Sequence, residues 1–156
     1  MQIAVIGAAQ CSDDEEEAAV RVGRAIATGG AVLLCGGGGG VMEAASRGAA
    51  GCGGLVIGIL PDTGDGNPYL SVAIRTGLGH ARNVVLVQSA DAVVAIGGSY
   101  GTLSEIAIAA KTKKEVFGYR TWDLPCVIRC EGPEEAVDGA LRAARLSPRS
   151  DIPPSG

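Results

Sequence analysis

The chain has 156 residues, enough for one hydrophobic core, with 47% hydrophobic residues, only 3% aromatics and 25 glycines, a profile suited to helix-covered parallel sheets. A net charge of -4 and the lack of a long Lys/Arg cluster exclude a track for long DNA or RNA. Five cysteines without a CxxC pair, with His80 as the single histidine, exclude a disulfide framework and a structural zinc site, and no apolar run approaches the ~20 residues that cross a bilayer.

The first apolar run, Gln2–Ile6, predicts a strand, and the lack of a basic region before it predicts a cytoplasmic protein without a cleaved leader. Ser12-Asp13-Asp14-Glu15 fits a capping box, and Ala18, Val22, Ala25 and Ile26 mark one apolar helix face that ends at Gly29-Gly30. A strand follows at Ala31–Cys35, then the run Gly36–Gly40 and a helix over Val41–Ala50 stopped by Gly51. Leu55–Leu60 is the next predicted strand, Ala81–Ser89 the next helix and Ala92–Ile96 the strand after it. A helix over Thr102–Lys111, capped by Thr102, precedes strands at Glu115–Tyr119 and Val127–Cys130, and Pro133 opens a last helix to Ala144. Trp122-Asp123 reads as an anchor for the loop before Pro125, and Cys126 and Cys130 read as core residues on one strand face.

A βαβα order throughout predicts an α/β, Rossmann-like fold: a mostly parallel sheet with helices on both faces, over residues 1–146 as a single domain. Residues 147–156, with Pro148, Pro153 and Pro154, predict a flexible tail.

Two glycine-rich turns each follow a strand and open a helix. In the first, Gly37, Gly38, Gly39 and Gly40 permit positive φ and close approach to a ligand, while the amides of the new helix face an anion. The second, Gly97-Gly98-Ser99-Tyr100-Gly101-Thr102, repeats that logic, so two phosphate-binding loops would border one crevice beyond the strands' carboxyl ends. Neither is a P-loop, since no Gly-Lys-Ser/Thr follows, and neither reads Gly-x-Gly-x-x-Gly with an acidic ribose partner, which disfavours ATP hydrolysis and hydride transfer with NAD.

Gly97-Gly98-Ser99-Tyr100-Gly101-Thr102-Leu103-Ser104-Glu105 resembles the PGGxGTxxE signature of the LONELY GUY (LOG) cytokinin-nucleotide phosphoribohydrolases, formerly called lysine-decarboxylase-like. Their wider group includes the molybdenum-cofactor carrier proteins. The resemblance runs from Ile3 to about Arg145 and takes in Gly36–Glu43, Gly58-Ile59-Leu60-Pro61 and Gly79-His80-Ala81-Arg82-Asn83 in the family's order. The chain is similar most of all to the short, carrier-like branch. Ile96 stands where the LOG motif has Pro, Asn83 where Lys is usual, and Met42-Glu43 replaces Met-Gly.

This resemblance implies a catalytic pair, Arg82 and Glu105. Arg82 would clamp a phosphate or polarise a nucleotide. Glu105, read on the first turn of its helix, would stabilise an oxocarbenium-like sugar and orient water. Gly97, Gly98, Ser99, Gly101 and Thr102 would cradle phosphate. Two functional readings stay open. One is a nucleoside 5′-monophosphate phosphoribohydrolase that releases base and ribose 5-phosphate; the other is a non-catalytic carrier or sensor of molybdenum cofactor or a related phosphorylated ligand. Both imply a bound phosphate, nucleoside monophosphate or molybdopterin-type ligand with no required cofactor and no metal, no membrane partner, and a homo-oligomer, dimer or tetramer. Asn67, Tyr69 and Thr76 lie where ring selectivity could be set, while His80 and Glu43 read as a surface or capping residue and a helix-start carboxylate.

Overall fold

Alternate residues of the first strand, β1 (Gln2–Gly7), are buried on opposite sides: Ile3 and Val5 join one apolar cluster, Ala4 and Ile6 the other. A strand that is apolar on both faces must be covered on both and paired on both edges, and β1 accordingly lies at the centre of the sheet. A computed structural model of the protein describes residues 1–147, so the expected tail lies, Ser147 apart, outside the described residues.

The chain continues through α1 (Asp13–Thr28), β2 (Val32–Cys35), α2 (Val41–Ala50), β3 (Val56–Leu60) and β4 (Val72–Arg75). After a short 3-10 turn at Gly79–Ala81 come α3 (Arg82–Ser89), β5 (Ala92–Ile96), α4 (Tyr100–Lys111), β6 (Val116–Tyr119), β7 (Val127–Arg129) and α5 (Pro133–Leu146). The seven strands form one all-parallel sheet in the order β4-β3-β2-β1-β5-β6-β7. Helices α1, α2 and α5 cover one face and α3 and α4 the other, giving a Rossmann-like α/β fold.

The direction of travel reverses once. The chain steps outward from β1 to β4, returns to β5 beside β1, and then steps outward to β7. Strands β1 and β5 end level with each other, Gly7 opposite Ile96, and this reversal point is where open parallel sheets hold ligands.

The expected βαβα order breaks twice. Val72–Arg75 is an edge strand that the sequence does not announce, because it is four residues long, three of them exposed, and pairs on one side only with β3. It follows β3 without a helix between them, as β7 follows β6. Helix α4 starts at Tyr100 with Ser99 at its N-cap, two residues before the expected start at Thr102. Cys126 is exposed in the turn ahead of β7 and only Cys130 is buried, so the two do not share a core face; a strand of three residues is too short to carry both. Among the described residues no helix is long and apolar enough to cross a membrane.

Candidate functional site

Three turns meet at the carboxyl edge of the sheet. The first, Ala8–Ser12 after β1, is shaped by the capping box: the Ser12 amide donates to Glu15 Oε2 (2.9 Å) and the Glu15 amide to Ser12 Oγ (3.3 Å). The Glu15 carboxylate thereby lies against Gly97 of the second glycine loop, where any Cβ would overlap it. Gly97 also has φ +57°, so both space and backbone require glycine there.

The first glycine loop is braced on several sides. Its last residue, Gly40, is the N-cap of α2 with φ +59°, and a Cβ there would run into the backbone of Ala8 and Ala9. The Val41 amide donates to the Ala8 carbonyl (3.1 Å), tying the loop to the β1 turn. Buried Asn67 reaches over from the segment after β3: its amide donates to Gly37 O (2.8 Å) and its Nδ2 to Gly38 O (3.1 Å) and Ser46 Oγ (3.3 Å). The Gly37 amide is engaged by Cys35 Sγ (3.3 Å). The amides of Gly38, Gly39 and Gly40 make no hydrogen bond among the described residues and are the donors this loop offers to an anion.

In the second loop the Gly97 amide donates to Tyr119 O (3.2 Å) and the Ser99 amide to Thr102 Oγ1 (3.2 Å). Thr102 is only 1% exposed, so its hydroxyl serves the helix cap first. The amides of Gly98, Tyr100 and Gly101 have no partner among the described residues. Trp122 anchors the loop before Pro125, as expected, and does so on this second loop: its indole N–H donates to Ser99 O (3.2 Å) and packs against Gly98. The indole spans the gap because β6 ends beside β5, a neighbourhood that chain order does not reveal.

Arg82 and Glu105 come together at this edge with Cys35. The Arg82 guanidinium lies on Gly36, where a Cβ would overlap it, and Nη1 donates to Ile59 O (2.9 Å), while its Nε is buried without a partner. Glu105 stands in the second turn of α4, because the helix begins at Tyr100; dipole complementation in a first turn therefore does not account for it. It is 7% exposed, and its carboxyl makes no hydrogen bond or ion pair among the described residues. Burial pushes its carboxyl up to about 7, against the nearby Arg82 charge that pulls it down. Burial likewise raises the Cys35 thiol, whose environment includes both Arg82 and Glu105.

The remaining sequence candidates divide. Thr76 Oγ1 donates to Leu60 O (2.6 Å) and accepts from the Leu78 amide, a structural role; His80 is exposed on the 3-10 turn. Glu43 opens α2 near Gly39, and the Tyr69 amide donates to Asn67 Oδ1 (3.1 Å), fixing the asparagine that braces the loop. Sequence reasoning missed Ser46, Glu15 and the bracing by Asn67. Only Glu15 carried a local signal, its place in the capping box. No cluster of three or more metal-ligating side chains occurs among the described residues.

Comparison with known proteins places the chain in a family. The SLOG cluster4 family model matches residues 1–142. An uncharacterized protein of Archaeoglobus fulgidus is 50% identical over 149 residues, covering 92% of this chain and 97% of its own. Among solved structures, the molybdenum cofactor binding protein of Rippkaea orientalis is 39% identical, with a TM-score of 0.83 and coverage of 88% of this chain and 93% of that one. The molybdenum cofactor carrier protein of Chlamydomonas reinhardtii is 33% identical, with a TM-score of 0.85 and coverage of 92% and 98%. The chain therefore belongs to the SLOG cluster4 family, within the superfamily that joins LOG-like proteins and molybdenum-cofactor carriers.

Proposed function

We propose that the protein is a carrier whose two glycine loops hold the phosphate of a molybdopterin-type ligand, the free amides of Gly38, Gly39, Gly40, Gly98 and Gly101 donating to it and Gly37, Gly97, Ser99 and Thr102 shaping the loops through their own hydrogen bonds. The observation that carries this reading is Glu105, buried at the site with its carboxyl at about pH 7. A carboxylate fixed as an anion would repel a phosphate across a poorly solvated gap. One that titrates near neutrality takes up a proton as the anion arrives and then donates a hydrogen bond to it. Stabilising an oxocarbenium-like sugar asks the opposite, a carboxylate that stays charged. Similarity to a carrier and a cofactor-binding protein across nearly the whole chain supports the same reading. Arg82, with its Nε buried and unpartnered, supplies the fixed positive charge.

One observation favours a second reading, a phosphoribohydrolase. A carboxyl near 7 beside an arginine also suits a general acid that protonates a departing base. Equilibrium dialysis against molybdenum cofactor, read by the fluorescence of the oxidised pterin, should show retention by the wild type. Chromatography after incubation with a panel of nucleoside 5′-monophosphates should show no free base. Base release that disappears in Glu105→Gln would overturn the carrier reading in favour of the hydrolase.

A further inference from the structure

A cavity of about 350 Å³ opens at the carboxyl ends of β6 and β7, on the same sheet edge as the glycine loops, at the lower end of the range of about 300–1,000 Å³ for small-molecule sites. Two residues that hold the second loop also line it: Tyr119, whose carbonyl accepts from the Gly97 amide, and Trp122, which packs on Gly98 and bonds Ser99. The cavity thus adjoins the second phosphate loop through these two residues.

Its lining has the composition of a ring-binding subsite. Trp122 and Tyr119 supply aromatic surface. Thr121 lines the cavity, and its Oγ1, buried from solvent, has no hydrogen-bond partner among the described residues, so a rotation about χ1 is what would bring it to a group in the cavity. Arg129, exposed on β7, has no ion-pair partner among the described residues. The charge balance argues against a second phosphate: Asp123 and Glu131 also line the cavity, and Arg120 is already paired with Asp14 (3.0 Å). Mixed donors and acceptors around aromatic walls suit an uncharged planar heterocycle that bears amino and carbonyl groups.

We infer that this cavity receives the ring of a ligand whose phosphate lies on the Gly97–Thr102 loop, the ring packing along Trp122 and bonding Thr121 as its hydroxyl rotates into the cavity. The inference rests on the phosphate-cradle reading above. A pterin and a purine share the chemistry described, and the test separates them.

Trp122 is the single tryptophan of the chain, so its emission reports on this cavity directly. Inorganic phosphate, adenosine monophosphate and neopterin monophosphate would be titrated into the full chain, with binding followed by calorimetry and Trp122 emission recorded in parallel. Because the Trp122 indole touches Gly98 and Ser99 O, phosphate alone sets a baseline change in emission, and a ring-bearing phosphate should quench the emission well beyond that baseline at saturation; whichever of the two does so identifies the ring. Thr121→Val should weaken the ring-bearing ligand about fivefold to tenfold while leaving inorganic phosphate unchanged, and Thr121→Ser should bind as wild type does. Arg129→Ala, an exposed position that the fold tolerates, should weaken the ring-bearing ligand about twofold to fivefold even if the Thr121 variants fold poorly. A ring-bearing phosphate that binds with no quenching beyond that of phosphate alone, or with Thr121→Val and Arg129→Ala both at wild-type affinity, overturns the inference and leaves the cradle standing. No binding of any of the three ligands removes the cradle and the inference together.

Discussion

The two glycine loops look alike in sequence and are held in different ways. Gly36 and Gly37 are buried and Gly38–Gly40 half-buried, with Asn67 on the loop's carbonyls, the Ala8-Ala9 backbone against Gly40 and the Arg82 guanidinium on Gly36. In the second loop Gly97 is buried, but Gly98, Ser99, Tyr100 and Gly101 are exposed, Tyr100 at 84%, and the neighbours are the ends of two side chains, Glu15 and Trp122. One loop is a cradle completed by backbone and buried polar groups; the other is a rim that side chains can release. A ligand would find the first preorganised and could remodel the second.

The largest expected effect tests this contrast directly. Gly40→Ala and Gly97→Ala both force alanine into positive φ, and at Gly40 a ψ of -127° lies outside the left-handed helical region as well. The new methyl meets immovable backbone at Gly40 and the tip of a flexible carboxylate at Gly97. Gly40→Ala should therefore cost about 3 kcal/mol or more and Gly97→Ala about 1–2 kcal/mol, measured by urea unfolding. Equal losses would end the distinction between cradle and rim.

A second test uses pH. Glu105 is raised from 4.5 to about 7 in the folded protein, so between those values the native state binds more protons than the unfolded chain. Stability is then highest below about pH 4.5 as far as this group is concerned and falls as pH rises through about 7, by roughly 3 kcal/mol in all. Glu105→Gln should flatten that slope and leave the variant more stable than the wild type above neutrality. Unfolding midpoints with the same pH dependence in both proteins would show that the carboxyl does not titrate in this window. Phosphate affinity should also weaken across the same rise in pH more steeply in the wild type than in Glu105→Gln, the variant giving the dependence that comes from the titration of phosphate itself.

The smallest effects come from a matched pair of hydrogen bonds. Asn67→Ala removes bonds to Gly38 O and Ser46 Oγ in a buried setting and should cost about 2 kcal/mol, with weaker phosphate binding. Thr102→Val removes the acceptor of the Ser99 amide beside an exposed loop and should cost about 1 kcal/mol, since water can replace the bond. Thermal melts with and without phosphate would read both; a larger loss from Thr102→Val would reverse the assignment of cradle and rim.

Much of this was legible in the chain alone. The strands at β1, β2, β3, β5 and β6 are continuous apolar runs because both faces are covered, and such runs need no tertiary information to be seen. The capping box at Ser12 and Glu15 is local, and so was foreseen with its partners. Both glycine loops and the pairing of Arg82 with Glu105 were named from order and resemblance. Only the tertiary structure decided which residues meet across the sheet. Glu15 reaches Gly97, Trp122 reaches Ser99 and Asn67 reaches Gly38 because strands distant in sequence are neighbours at one edge. β4 exists because β3 leaves it hydrogen-bonding groups to complete, and the pattern of four mostly exposed residues does not record that. The state of Glu105 follows from burial beside Arg82, a property of its surroundings that no residue type or spacing encodes.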